Sequence, residues 1–212
     1  IIKQEVSNEN IAKEAIFFEQ KVLNEKVGVQ DQIICSLGGI NIYTFKNPND
    51  IITHNIEAVD KLAENISSNS FLLFTGKLRR SSEYQEDFNQ NTKTDSRLEY
   101  EEVVSRITSS AIKELKNGLL DVDALFEEYV RPAWIAKRNY LAENNQTEII
   151  NLSLKLDSLG IRNHRLCGSG GGGFYYIKTN SKKDIDVIYN NFRKEYILPI
   201  RISHNGIKTS FI

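Results

Sequence analysis

The sequence predicts an α+β protein, with room for one large domain or two modest ones, on three observations. Helical spacing of apolar residues recurs along the chain, as at Val104, Ile107, Ala111 and Leu115. Strands are marked by alternation over residues 40–45 and by the unbroken apolar run Phe71-Leu72-Leu73-Phe74. After a pair of helices, the tail reads as glycine loop, strand, helix, strand, hairpin and strand. A split βαβ unit accommodates that order.

Residues 2–6 read as a strand end or linker. Ser7 and Asn8 then offer N-caps to a helix over 9–24, with Ala12, Ala15, Ile16, Val22 and Leu23 on its inward stripe. At about 100° per residue Glu19 falls at the centre of that stripe. A carboxylate aimed at a core is costly unless it meets a cation or a donor. Two readings stay open for Glu19: a buried ion pair with Arg or Lys, or a metal-binding or catalytic carboxylate.

Gly28-Val29-Gln30-Asp31-Gln32 comes next, a glycine-opened turn that places Asp31 where another molecule can approach the backbone. A solvated loop Asp is the plain alternative. The small-residue run Ser36-Leu37-Gly38-Gly39 leads into the strand over 40–45, and Asn47-Pro48-Asn49-Asp50 turns it into an antiparallel partner over 51–56. A short helix over 58–66 is broken by Ser67-Ser68-Asn69-Ser70. The strand over 71–74 exits into Thr75-Gly76-Lys77-Leu78-Arg79-Arg80-Ser81-Ser82, which suits either an oxyanion-binding end or a basic surface loop.

Residues 83–96 are polar, a solvated helix or a loop. A helix over 98–117 closes at Gly118. Another opens near Asp121, carries Leu125, Phe126 and Tyr129, and is bent or restarted at Pro132 before Trp134 and Lys137. Thr147 caps the next, with Ile149, Leu152, Leu156 and Leu159 inward and Gly160 past its end. Ser181-x-x-Asp184 is a capping-box start for a helix with Ile185, Ile188, Phe192 and Tyr196 on one face. A strand over 197–202 and an Asn205-Gly206 hairpin into a last strand over 207–212 complete the expectation.

Lys plus Arg (27) nearly balances Asp plus Glu (28), so charge advertises neither nucleic acid nor an anionic membrane. No apolar run approaches a membrane span and no secretory signal opens the chain. Cys35 and Cys167 lie far apart without metal spacing, and His54, His164 and His204 are scattered, each suited to a surface or structural role. The expected setting is reducing and cytoplasmic. Nothing forms a Ser-His-Asp or Cys-His arrangement. The chain opens at Ile1 and contains no Met, so the expectation is a longer protein, or one whose methionines were omitted as a modified residue.

Gly168, Gly170 and Gly173 match G-x-G-x-x-G, but that motif needs a helix straight after it and here a strand comes instead. No Gly-Lys-Ser/Thr completes a P-loop. Five glycines at 168 and 170–173 are costly in chain entropy, so close backbone approach, to a ligand or to another backbone, is the remaining reason.

These elements in order resemble the GHMP small-molecule kinases: the helix with an inward Glu, the Gly28–Gln32 turn with Gly38-Gly39-Ile40-Asn41, Phe74-Thr75-Gly76, Trp134-Ile135-Ala136-Lys137, and Leu166-Cys167-Gly168-Ser169-Gly170-Gly171-Gly172-Gly173-Phe174. The resemblance spans nearly the whole chain and is nearest to the heptose 7-phosphate kinases and related sugar kinases. It implies the later part of a ribosomal-protein-S5-like domain over 1–80 and a ferredoxin-like domain over 81–212. It implies ATP-dependent phosphoryl transfer to a sugar or sugar-phosphate hydroxyl, with ATP and Mg²⁺, in carbohydrate metabolism. By resemblance Asp31 is the catalytic acid that takes or positions the acceptor proton, Glu19 the Mg²⁺ carboxylate, and Gly168, Gly170, Gly171, Gly172 and Gly173 the active-site glycine loop. Gln32, Gly38, Gly39, Thr75, Gly76 and Arg79 are the residues expected around the substrate, Arg79 holding a phosphate.

The family's Pro-x-x-x-Gly-Leu-Gly-Ser-Ser-like loop, which cradles ATP phosphates, is absent from the 212 residues. The chain therefore reads as the C-terminal portion of such a kinase, unable to hold ATP well alone. The alternative is a non-catalytic sugar-binding or regulatory relative that has lost the loop. The partner expected is a sugar or sugar phosphate, without nucleic acid or membrane; a homodimer is one assembly open to it.

Overall fold

The computed structural model describes residues 6–25, 27–47, 50–54, 56, 59–78, 95–118, 121–143, 146–168 and 170–208. Helix α1, Asn8–Phe17, begins at Ser7, whose hydroxyl accepts from the Asn10 N–H. It continues as a π-helical turn, Phe18–Val22, in which the Leu23 N–H reaches back to the Phe18 carbonyl at 2.9 Å. The extra residue in that turn rotates the side chains after it about the helix axis. Ala12 and Ile16 are buried as expected, whereas Val22 and Leu23 are more than half exposed instead of lying on the inward stripe.

Residues 30–37, expected as part of a turn and a small-residue run, fold instead as helix α2, Gln30–Leu37. Eight residues with adjacent β-branched Ile33 and Ile34 give a weak helical signal, and packing of Ile33 against Ala12 and Ile16 decides the matter. Strand β1, Ile42–Asn47, and strand β2, Asp50–His54, form an antiparallel pair. The first lies two residues later than expected, and the second ends two residues sooner. Tyr43 and Ile51 add to the small core beneath α1 and α2.

Helix α3, Val59–Asn69, runs through Ser67-Ser68-Asn69 instead of breaking there. The Ser68 hydroxyl donates to the Glu64 carbonyl and the Asn69 amide to the Asn65 carbonyl, so these polar residues serve the last turn. Strand β3, Ser70–Phe74, is followed by helix α4, Asp95–Lys116, which ends near Gly118 with φ of +73°. Helix α5, Val122–Leu125, capped by Asp121, leads through a second π turn, Phe126–Val130, into helix α6, Arg131–Glu143. Helix α7, Thr147–Ser158, starts at Thr147 with Gln146 in the capping position, so the expected Thr147 cap is displaced by one residue.

Strand β4, His164–Leu166, has no counterpart in the sequence expectation; three residues are too few to show alternation. Strand β5, Phe174–Lys178, and helix α8, Lys182–Asn191, with its Ser181/Asp184 capping box, match expectation. Strand β6 is confined to Ile197–Pro199. Asn205-Gly206 makes no hairpin into a strand at 207–208: the Ile207 N–H donates to the Ser36 carbonyl and the Gly39 N–H to the Ser203 carbonyl, so the segment packs on the end of α2. The remainder of that expected strand, 209–212, residues 2–5 of the expected strand end or linker, and residues 79–94 lie outside the described residues.

The main sheet has the order β4-β5-β3-β6, each neighbour antiparallel. Both its β-helix-β connections pass over an intervening strand. Leu73, Leu141, Leu156, Leu166, Tyr175 and Ile177 form its core, all at most 1% exposed. Among the described residues no helix is long and apolar enough to cross a membrane.

Candidate active site

One candidate group lies where α1 meets α2. Glu19 sits in the π turn, half-buried, and the Gln32 amide donates to its Oε2. Gln32 is itself buried, and its Oε1 has no hydrogen-bond partner. A half-buried carboxylate and an unpartnered carbonyl oxygen thus lie on neighbouring side chains, a donor set that suits a hard cation. The connecting loop is held by Gln20, which donates to the Val27 carbonyl at 2.9 Å, and by Asn24 at φ +54°. Asp31 is exposed in the first turn of α2, where the helix dipole favours its charge.

Gly38 and Gly39 end α2 with φ of +69° each. Beyond that conformation, Gly38 has no room for a Cβ, which would lie 2.5 Å from the Asn205 backbone. The pair lines a cleft of about 310 Å³ whose walls include Glu9, Leu37, Asn41 and His204.

A second group gathers at the end of β3. The Thr75 N–H and hydroxyl both donate to the Gly173 carbonyl, at 2.9 and 3.0 Å, and the Gly173 N–H donates to the Lys77 carbonyl at 2.9 Å. A Cβ on Gly172 would stand 2.6 Å from that same carbonyl. The glycine loop is therefore packed backbone to backbone against Thr75-Gly76-Lys77, while Gly76 and Gly168 face open space. Gly170 and Gly171 are buried. Arg79 lies outside the described residues.

Lys137 reaches the loop's other end, its Nζ donating to the Gly168 carbonyl at 2.6 Å. The residue is 7% exposed, and burial first, then Arg165, pull its pKa down to about 8. Sequence reasoning gave this residue no role. The signal was there: Lys137 falls three residues after Trp134 and four before Leu141, on a buried stripe.

A Ser–His pair exists but is structural. Ser153 Oγ lies 2.7 Å from His164 Nε2, both side chains are essentially fully buried, and Trp134 Nε1 donates to Ser153 Oγ at 3.0 Å. The His164 Nδ1–H donates to the Ile161 carbonyl, and burial holds the ring's pKa below 6.5, neutral at physiological pH. Among the described residues no three His, Cys, Asp or Glu side chains cluster as a metal site.

Solved structures share this architecture. A protein described as a sugar kinase from Campylobacter jejuni is matched over 98% of this chain and 58% of its own, with 20% identity and a TM-score of 0.68. A D-glycero-D-manno-heptose 1-phosphate kinase from Bacteroides thetaiotaomicron is matched over 97% and 56%, with 17% identity and a TM-score of 0.62. The fold resembles that of the GHMP kinases. Mevalonate kinases share it, and so does a mevalonate diphosphate decarboxylase from Staphylococcus aureus, over 96% of this chain and 60% of its own, at 12% identity and a TM-score of 0.59. The chain thus spans a little over half the length of these proteins. At such identities the likeness carries the fold alone. No protein-family model matches the chain, and no curated protein matches it significantly.

Proposed function

We propose that this chain is the later portion of a kinase that transfers the γ-phosphoryl group of ATP to a hydroxyl of a sugar or sugar phosphate. The observation that carries the reading is the fold likeness, which runs over nearly the whole chain and includes a sugar kinase and a sugar-phosphate kinase. The finer expectations from sequence, an S5-like portion followed by a ferredoxin-like domain and a heptose phosphate as acceptor, belong to this proposal. The strand order β4-β5-β3-β6 supports the ferredoxin-like part, but its sheet takes in β3, Ser70–Phe74, which the expected boundary after residue 80 leaves in the preceding domain.

Phosphoryl transfer asks a protein mainly for positioning and for neutralisation of charge. Asp31, exposed at the start of α2, is proposed to orient the acceptor hydroxyl and receive its proton. Mg²⁺ is commonly held through one or two carboxylates together with substrate phosphates. Glu19, with the unpartnered Gln32 Oε1 beside it, fits that mode. When bound, the ion would neutralise phosphate charge; Gln32 keeps the Glu19 carboxylate in one orientation. The glycine loop, locked to Thr75 and Lys77, supplies a rigid wall close enough for a substrate to meet backbone. No phosphate-cradling glycine-serine loop occurs among these residues, so no step of nucleotide binding is assigned to them.

Incubating the protein that carries this chain with ATP, Mg²⁺ and, in turn, heptose 7-phosphate, galactose, fucose and mevalonate tests the reading. Substrate-dependent ADP release with one sugar or sugar phosphate is the expected outcome. Tight sugar binding by calorimetry without ADP release would replace it with the non-catalytic reading.

A further inference from the structure

Among the described residues, the buried and half-buried cations are, with two exceptions, given a carboxylate. Arg138 and Arg131 share Asp157 at 2.7 and 3.7 Å, Arg97 pairs with Glu101 at 3.0 Å, Lys178 with Asp123 at 2.9 Å, and Lys77 with Glu148 at 3.6 Å. Lys137 and Arg165 have no such partner there. Both belong to the root of the glycine loop: Arg165 lies on β4, two residues before Cys167, while Lys137 reaches from α6 to the Gly168 carbonyl, and the Arg165 charge helps to lower the Lys137 pKa.

Bringing two like charges together out of water is unfavourable unless something of opposite sign joins them. Among the described residues, the groups packed around them do not supply it. The Cys167 thiol is pushed up by burial and stays protonated, and burial likewise raises Tyr100 on α4. On α4 the Glu101 carboxylate is engaged by Arg97, and on α7 Asp157 is engaged by Arg138 and Arg131. The Lys137 ammonium carries three N–H donors and spends one on the Gly168 carbonyl. Beside it, exposed Gly168 at φ +72° has nothing within 4 Å of where a Cβ would stand, so there is room for a ligand.

We propose that Lys137 and Arg165, at the root of the glycine loop, form a binding site for a phosphate group. The site goes beyond the transfer reading and rests on it only for what carries the phosphate, a sugar phosphate or a nucleotide. Arg offers a planar pair of donors to phosphate oxygens, and Lys a buried point charge; a dianion satisfies both. Bound phosphate also favours the charged form of Lys137, so affinity falls as pH rises past about 8; toward acid pH, where the phosphate dianion takes up a proton, it falls as well.

Calorimetric titration of the full chain with inorganic phosphate, at ionic strength held constant with chloride, tests the site. The wild type is expected to bind, and Arg165→Gln and Lys137→Gln each to weaken binding by about tenfold or more, as loss of a charged hydrogen bond entails. Lys137→Arg should retain affinity and remove its fall above pH 8. Lys155→Gln, an exposed residue whose ammonium lies against the Asn191 carbonyl and the Phe192 ring, should change nothing. If Lys137→Gln fails to fold, half-buried Arg165→Gln carries the test. Displacement of phosphate by a hexose 6-phosphate assigns the site to the acceptor, and displacement by ATP to the nucleotide. A wild type that does not bind phosphate, or variants that bind as the wild type does, would overturn it. Phosphate binding without any phosphoryl transfer would leave the site standing and remove the kinase reading instead.

Discussion

The amide of Gln32 on α2 donates to the carboxylate of Glu19 in the π turn that ends α1, and this bond ties the two helices at the candidate metal position. Gln32→Leu would leave a half-buried carboxylate without its donor. A loss of about 1–3 kcal/mol in urea unfolding is expected. Glu19→Gln keeps a partner for Gln32 and should cost little stability. In the protein carrying this chain it should instead raise the Mg²⁺ concentration needed for transfer; an unchanged Mg²⁺ titration would take Glu19 out of the site.

Gly206 and Gly76 make a paired test of how the chain's end is used. A Cβ on Gly206 would lie 1.7 Å from the Ser36 carbonyl oxygen, backbone that cannot step aside. Gly206→Ala should therefore release the 203–207 segment from α2, with a stability loss of about 2 kcal/mol or more. Gly76 at φ +78° has open space around it, so Gly76→Ala costs only the left-handed backbone, about 1–2 kcal/mol. Hydrogen exchange separates them: faster exchange at the Gly39 and Ile207 amides is expected for the first variant alone.

The buried Ser153–His164 pair sets an acid limit on stability. Burial holds the folded pKa of His164 below its ordinary 6.5. Above pH 6.5 the ring is neutral in folded and unfolded chains alike, and its contribution is fully present. As pH falls through 6.5, the unfolded chain takes up a proton the folded one refuses, so stability falls. Urea midpoints should drop across that window, and His164→Asn should flatten the drop while lowering the plateau.

Much of this fold is readable because its signals are local. Ser7, the Ser181/Asp184 box, Gly118 and Gly160 mark helix ends through caps and left-handed turns, and Phe71–Phe74 is an apolar run with one explanation. The parts that escape the sequence depend on partners distant in it. Helix α2 exists because Ile33 packs on Ala12 and Ile16, β4 because three residues pair with β5, and Gly206 is small because Ser36 lies against it. The π turn is the instructive case. Ideal periodicity places Glu19 inward, and the extra residue that exposes Val22 and Leu23 leaves Glu19 half-buried against Gln32. The glycine loop's close approach is legible as a need; that Thr75 and Lys77 provide the approaching backbone is not.

Thr75→Val removes the hydroxyl that donates to the Gly173 carbonyl and keeps the backbone bond beside it. A loss of about 1 kcal/mol is expected, with faster exchange at the Gly173 amide. If the loop is the substrate wall proposed, KM for the acceptor should rise more than kcat falls.

Phosphoryl transfer through Asp31 is the central claim, and single-turnover kinetics of Asp31→Asn in the protein carrying this chain tests it most directly. The expected result is transfer slowed by about a hundredfold or more, the loss of an acid–base group, with nucleotide affinity preserved. Transfer at the wild-type rate in that variant would contradict it.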